Sequence, residues 1–209
     1  MRLFDFNRAP NPRRARMFIA EKGLDIEKVN VNLFRMEQLS DEFTSINPLG
    51  TVPVLETDDG TYLTETVAIC CYLENIHPEP VLMGHTATEK ALVLNWNNIV
   101  EQHGMLSIAE MLRNWSPGFR DRVFPGKINY HQMPELIERG RLRTLQFFDM
   151  IETRLQLVNW LAGEQFSLAD ISLLAISDFA SWVEIDPLEN RSALQAWYTR
   201  ISERSSVKA

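Results

Sequence analysis

Residues 47–75, NPLGTVPVLETDDGTYLTETVAICCYLEN, decide the fold because they join a strand that begins with a proline to a hairpin and a helix. Pro53 lies between Val52 and Val54, in a segment otherwise typical of a buried strand. Proline has no N–H to give to a sheet, so it is confined to the first residue of a strand, an edge or a bulge. We predict that Pro53 begins the strand 53–56 and that the Val52–Pro53 bond is cis, leaving the Val52 main chain free to pair with an extended peptide.

The surrounding segments predict a small mixed sheet in residues 1–76. Asp59-Gly60 predicts a hairpin turn. Residues 65–74 predict the helix that follows, in which Val67, Ala68, Cys71 and Tyr72 are spaced for burial. Upstream, a strand, a helix with Asn11 as its N-cap and Pro12 as its first residue, and a second strand form a βαβ unit. The βαβ unit requires parallel pairing and the hairpin requires antiparallel pairing. Four strands flanked by helices satisfy both.

Beyond residue 76 the strand patterns end. Residues 77–88, HPEPVLMGHTAT, contain two prolines and a glycine and predict a linker. Helical periodicity then dominates residues 89–209, and the nearly apolar stretch 168–183 predicts a buried central helix. We predict an α/β domain followed by an all-helical domain.

The start of that central helix carries a strong local signal. Ser167 and Asp170 have the spacing of a capping box, and Phe166 and Ile171 have that of a hydrophobic staple. We interpret the Ser–Asp pair as a helix cap and not as part of a hydrolase site, because no histidine stands in a matching motif.

Composition excludes several function classes. The net charge of −7 argues against general nucleic-acid binding. No apolar run reaches the roughly 18–20 residues of a membrane span, and the first residues lack the apolar core of a signal peptide, so we expect a cytoplasmic protein. Cys70 and Cys71 are adjacent and expected to be reduced. The four histidines are scattered, so we predict no metal site.

Glu65 and Thr66 predict a site for a small peptide next to the Val52 main chain. The first amides of a helix and its dipole attract a carboxylate, and the Thr66 hydroxyl adds a donor. The Glu65 carboxylate can bind an ammonium group. A short peptide that ends in an α-amino acid matches all of these groups.

Three motifs occur in the chain in a characteristic order and spacing: APNPRRARMFIAEKGL at 9–24, NPLGTVPVLETDDGTYLTET at 47–66 and GEQFSLADIS at 163–172. Together they make the chain resemble cytosolic glutathione transferases along nearly its whole length. The resemblance implies a thioredoxin-like domain at 1–76 with a mixed four-stranded sheet, a linker at 77–88 and an all-helical domain at 89–209. It also implies that the peptide is glutathione, as co-substrate and without a further cofactor.

The resemblance assigns seven residues to glutathione. They are Gln38, Thr51, Val52, Pro53, Glu65, Thr66 and Glu101. Gln38 and Thr51 would lie near the glycyl carboxylate. Many members of the family have a lysine at the position of Thr51, so this chain lacks a positive charge there. Glu65 and Thr66 would hold the γ-glutamyl end. Glu101 would reach the γ-glutamyl amine across a dimer interface.

The residue that activates the thiol departs from the family pattern. Members of the family usually carry Tyr, Ser or Cys in the first loop, whereas residues 6–12, FNRAPNP, contain none, as in a bacterial or fungal-type branch. Asn11 is one candidate, either as a donor to sulfur or as a plain N-cap. His103 and Ser107, four residues apart on one helix face, are a second candidate that would hold a proton-accepting water.

An apolar electrophile site is expected between the two halves, with most of its residues from the helical half. Its candidate walls are Phe34, Met105, Met111, Trp115 and Phe119, and Arg113 would stabilise developing negative charge. We expect a homodimeric enzyme that conjugates glutathione to small hydrophobic electrophiles. The alternatives are a non-catalytic glutathione-binding or scaffold protein, and a glutathione-dependent peroxide or disulfide reductase.

Overall fold

A four-stranded sheet with the strand order β2-β1-β3-β4 organises the first half of the protein, in a computed structural model that describes residues 1–209. β1 pairs parallel with β2 and antiparallel with β3, and β3 pairs antiparallel with β4. The predicted mixed, thioredoxin-like sheet is confirmed. The strands are β1 (Arg2–Asp5), β2 (Glu27–Asn30), β3 (Val54–Glu56) and β4 (Tyr62–Leu63).

Helix α1 begins two residues earlier than the sequence predicts. It spans Pro10–Glu21 with Ala9 as its N-cap, so Asn11 is the second residue of the helix and not its cap. Proline is well suited to the first helical position because its φ is already helical and its missing N–H is not needed there. Past the other end, Gly23 has φ of +63°, the left-handed conformation expected of a residue that terminates a helix.

Helix α3 buries a different face from the predicted one. It spans Thr66–Ile76, and its buried residues are Thr66, Ile69, Cys70 and Leu73, whereas Val67, Ala68, Cys71 and Tyr72 are more exposed. The other elements of this half are α2 (Asp41–Ile46) and 3₁₀ turns at Leu33–Arg35 and Glu37–Leu39.

All regular secondary-structure elements of the second half are helices, as predicted. A π-helical segment, Val100–Met105, interrupts what would otherwise be one long helix. All residues of α7 except Asp178 are buried, which confirms the central helix. The helices are α4 (Ala87–Ile99), α5 (Leu106–Trp115), α6 (Glu135–Leu155), α7 (Leu168–Ala180) and α8 (Ser192–Ser202), with 3₁₀ turns at Pro117–Phe119, Ser181–Val183 and Ser205–Lys208.

Asp170 secures the start of α7, as the capping-box pattern predicts. Its carboxylate accepts from the Ser167 amide at 3.1 Å, the Leu161 amide at 2.8 Å and the Trp197 indole at 3.0 Å. Burial raises the pKa of Asp170 to about 6, although these donors favour the ionised form. The residue is therefore a structural hub with its oxygens already occupied.

The chain divides into two compact units. The first contains Met1–Pro80 together with Phe124–Ile128 and Lys208–Ala209, and the second contains Val81–Val123 and Asn129–Val207. The boundary at Pro80 lies within the segment that the sequence predicts as a linker. No helix has both the length and the apolar character needed to cross a membrane.

Candidate functional site

The Val52–Pro53 step lies immediately before β3, and its peptide bond is cis, as the sequence predicts. Strand pairing begins only at Val54, which lies opposite Phe4. The Val52 side chain packs into a cluster with Phe4, Phe43 and Val54, while its main-chain N–H and C=O make no hydrogen bond within the chain. A buried side chain thus anchors a main-chain pair that an extended peptide can use.

The N-terminus of α3 presents donors suited to a carboxylate. The first hydrogen bond of this helix is from the Ile69 amide to the Glu65 carbonyl, at 2.9 Å, so the three preceding amides have no partner within the chain. The cap residue Glu65 is exposed and contributes no capping bond. Thr66 is only 5% exposed, and its hydroxyl has no partner in the chain. Because α3 packs against β3, these groups belong to the same unit as Val52.

Gln38 and Thr51 lie at the other end of this region. The main-chain carbonyl of Gln38 comes within 3.0 Å of the point where a Cβ on Gly50 would stand, so the Gln38 turn packs directly on the residue before Thr51. The Gln38 side chain is buried, and its Oε1 has no partner. The Thr51 hydroxyl accepts from the Asn47 amide at 2.9 Å and keeps its own hydrogen. Both side chains are polar and uncharged.

Asn11 is positioned by a buried arginine. Its Oδ1 accepts from Arg14 Nη1 at 3.0 Å, and Arg14 is 1% exposed. With the oxygen held in this way, the Asn11 Nδ2 group is left to donate elsewhere. Pro10 and Pro12 have no N–H, so the Asn11 main-chain amide is also the sole donor among the first three residues of α1. Asn11 therefore combines two donors at the positive end of a helix dipole.

Arg16 adds little positive potential to the start of α1. Its guanidinium pairs with the Asp5 carboxylate at 2.5 Å and donates to the Asn7 carbonyl at 2.9 Å. Both side chains are largely buried, so the carboxylate offsets this charge locally. The Arg14–Asn11 pair was not predicted, although its i, i+3 spacing on one helix could have indicated it.

Phe34 is the candidate electrophile-site residue that lies in the first unit. It is 71% exposed, its ring contacts Phe6 edge-on at 5.3 Å, and the Arg8 guanidinium lies over it at 5.4 Å. An exposed aromatic ring supported by two neighbours is compatible with the predicted role as a wall.

Glu101 and His103 lie in the π-helical segment of the second unit. Such segments occur frequently at functional sites because they reorient side chains within a helix. Glu101 is half-buried and His103 is exposed. Their predicted roles at the γ-glutamyl amine and at the thiol stay predictions.

Ser107 does not share the exposure of His103. Its hydroxyl is fully buried, donates to the His103 carbonyl at 2.7 Å and accepts from the Thr144 hydroxyl at 2.9 Å. Gly140, one turn before Thr144, brings α6 close to the main chain of this helix. The predicted water-holding role of Ser107 therefore lacks a free hydroxyl hydrogen, and we assign the residue to helix packing.

The remaining candidate walls lie between the last residue of the π-helical segment and the turn that follows α5. Met105 and Phe119 are half-buried, and Trp115, the last residue of α5, is 45% exposed. Arg113 donates to the Val123 carbonyl at 3.2 Å, and burial lowers its pKa from the ordinary value. The Arg113 guanidinium is therefore largely removed from solvent, and water screens its charge poorly.

The sequence matches the family model "Glutathione S-transferase, N-terminal domain" over residues 9–76 and "Glutathione S-transferase, C-terminal domain" over residues 119–205. "Glutathione S-transferase 2" of Saccharomyces cerevisiae is 34% identical over 210 residues, which cover 100% of this chain and 88% of the relative. The crystal structure of Gtt2 from Saccharomyces cerevisiae superposes with a TM-score of 0.91 at 34% identity, covering 100% of this chain and 99% of that one. "Maleylacetoacetate isomerase" of Pseudomonas aeruginosa is 31% identical over 176 residues, 68% of this chain and 82% of the relative.

Proposed function

This chain belongs to the glutathione S-transferase family, and from that premise we propose that it conjugates glutathione to small hydrophobic electrophiles. One observation carries the proposal. The Val52 main chain and the first three amides of α3, which lie in the same unit, make no hydrogen bonds within the chain. The cysteinyl main chain of glutathione binds Val52, and its γ-glutamyl carboxylate binds the α3 amides and the Thr66 hydroxyl. Glu65 lies at the same helix end, where it meets the γ-glutamyl ammonium.

In the proposed reaction the thiol loses its proton to water, and the thiolate sulfur forms a bond to an electrophilic carbon. The electron pair of the broken bond leaves with the departing group, or, in an addition, the adjacent carbon takes up a proton. A free thiol titrates near roughly 8.5, so each unit of lowering requires about 1.4 kcal/mol of preference for the thiolate. The Asn11 amides and the α1 dipole supply this preference, and the water that accepts the proton is the one that His103 would hold.

A second candidate function, glutathione binding without catalysis, is favoured by one observation. Residues 6–12 contain no Tyr, Ser or Cys to bind the sulfur. Disulfide reduction is less well supported, because Cys70 is fully buried and burial raises the pKa of the Cys71 thiol. A relative is named as an isomerase, and the thiolate proposed here is also the nucleophile that a glutathione-dependent isomerisation would need.

The ultraviolet absorbance of the thiolate tests the proposal. Bound glutathione is titrated between pH 5 and 9, and turnover is measured with a nitro-substituted aryl halide. We expect a thiol pKa at least one unit below the free value, together with turnover. A thiol pKa near 8.5 and no turnover would favour the binding protein, and no binding of glutathione would refute both functions.

The remaining parts of the proposal are a cytoplasmic location and a homodimer. Val67, Ala68, Cys71 and Tyr72 form an outward face of α3 that is suited to a subunit contact. Size-exclusion chromatography at the mass of one 24.1 kDa chain would contradict the dimer.

A further inference from the structure

A short segment of the helical half, Phe124–Ile128, packs with the first unit rather than with its own neighbours in sequence. We call this segment the strap. Gly126, at its centre, has its Cα 3.8 Å from the point where a Cβ on Gly50 would stand. A Cβ on Gly126 would in turn lie 3.7 Å from the Leu49 carbonyl. The main chain of the strap is therefore in contact with the loop that leads into Val52.

Lys127 gives the strap a positive charge at this position. Its Nζ lies 3.0 Å from the Asp41 carboxylate, at the first residue of α2. The Lys127 side chain is 56% exposed, and that of Asp41 is fully exposed. Ion pairs this exposed contribute little free energy. Lys127 can consequently exchange Asp41 for another carboxylate at small cost.

The region beside the strap, around Gly50, has no positively charged side chain among the residues assigned to the glycyl carboxylate. Gly50, which the strap contacts, lies between the Gln38 carbonyl and Thr51, and the side chains of Gln38 and Thr51 carry no charge. If the cysteinyl main chain of glutathione pairs with Val52 and the γ-glutamyl end binds α3, the glycyl end extends the opposite way. One extended residue spans about 3.5 Å, so the glycyl carboxylate falls within a few ångströms of this edge.

We propose that Lys127, carried by the strap, is the cationic partner of the C-terminal carboxylate of the bound tripeptide. The inference rests on the proposed function and adds a residue that does not belong to the thioredoxin-like domain in sequence. It makes the strap a specificity element, because it favours peptides that end in a free carboxylate over those with a neutral end.

The test compares two ligands that differ only in this charge: glutathione and its glycine amide. Dissociation constants are measured by calorimetry for the wild type, Lys127→Met, Arg35→Met and the matched control Lys28→Met. The control removes an exposed lysine from the edge strand β2. We expect the wild type and Lys28→Met to bind glutathione about two- to five-fold more tightly than the amide, as for an exposed ion pair. In Lys127→Met the two ligands should bind equally.

The outcomes separate the inference from the function on which it depends. Unchanged discrimination in Lys127→Met, with normal glutathione binding, would overturn the role of Lys127 and leave the proposed function intact. Loss of discrimination in Arg35→Met instead would also overturn it, since Arg35 is an exposed cation on the turn before Gln38. A wild type that binds neither ligand would refute both. The amide serves as the folding control, because a misfolded variant would lose affinity for both ligands.

Discussion

Replacing Thr66 by valine should abolish most glutathione binding without destabilising the fold. Thr66 is the first residue of α3 and is 5% exposed, yet its hydroxyl has no hydrogen-bond partner in the chain. Valine has nearly the same shape and lacks the hydroxyl. The free energy of unfolding should therefore change by less than about 1 kcal/mol, because no internal hydrogen bond is broken.

The expected loss of affinity follows from the charge of the ligand. A hydrogen bond from a hydroxyl to a carboxylate contributes about 1.5–3 kcal/mol, which corresponds to an increase in Kd of about 10- to 150-fold. Calorimetry with glutathione gives the Kd, and urea denaturation gives the free energy of unfolding. Thr66→Ser keeps the hydroxyl and serves as the control, with a Kd within about three-fold of the wild type.

Two results would refute this reasoning. A Kd of Thr66→Val within two-fold of the wild type would show that the hydroxyl does not contact the ligand. A loss of unfolding free energy as large as the loss of binding free energy would show that Thr66 has an internal structural role. Either result would refute the role of the Thr66 hydroxyl in binding the γ-glutamyl carboxylate.

Three further changes test the thiol site and the helical core. Asn11→Ala should raise the thiol pKa of bound glutathione by about 1 to 2 units, and an unchanged thiolate titration would exclude Asn11 as the donor. Gly104→Ala should cost about 1–3 kcal/mol of unfolding free energy, because its Cβ would come within 2.7 Å of the Phe147 ring. Gly118→Ala is the control, because a Cβ on Gly118 would lie 3.7 Å from the nearest atom. Equal urea midpoints for the two variants would contradict the predicted clash at Gly104. Asp170, with its pKa raised from 3.8 to about 6, keeps its proton in the native state where the unfolded chain has lost it. The wild type should therefore lose about 3 kcal/mol of unfolding free energy, relative to Asp170→Asn, as pH rises from about 4 to above 6. Parallel pH profiles of the two proteins would show that this proton is not linked to folding.

Local patterns predicted much of the fold because neighbouring residues decide the conformations concerned. Asp170 lies three residues after Ser167, close enough for its carboxylate to reach the Ser167 amide wherever the helix packs. Pro53 has no N–H for the ladder, so it could only stand at or just before the start of a strand, and β3 begins one residue later than predicted, at Val54. The predicted start of α1 is wrong by two residues, because Pro10 suits a first helical position as well as Pro12 does and the structure uses Pro10.

Local sequence patterns could not predict which side chains are buried or which distant segments contact each other. His103 and Ser107 share a helix face by spacing, but α6 packs on Ser107 and occupies its hydroxyl through Thr144. Which face of a helix is covered depends on segments 37 residues away or more, as in this pair. The same limit explains why the buried face of α3 was misassigned.

The sequence by itself determined the order of sheet and helices and the cis step at Val52–Pro53, because each follows from short-range sterics and hydrogen bonding, and its motifs indicated the family. The tertiary structure alone decided which polar groups stay available: Thr66 keeps an unpaired hydroxyl, Ser107 does not, and the strap brings Lys127 to a loop 77 positions before it in sequence. The physical reason is that a side chain's availability depends on what packs against it, and those neighbours are assembled only when the chain folds.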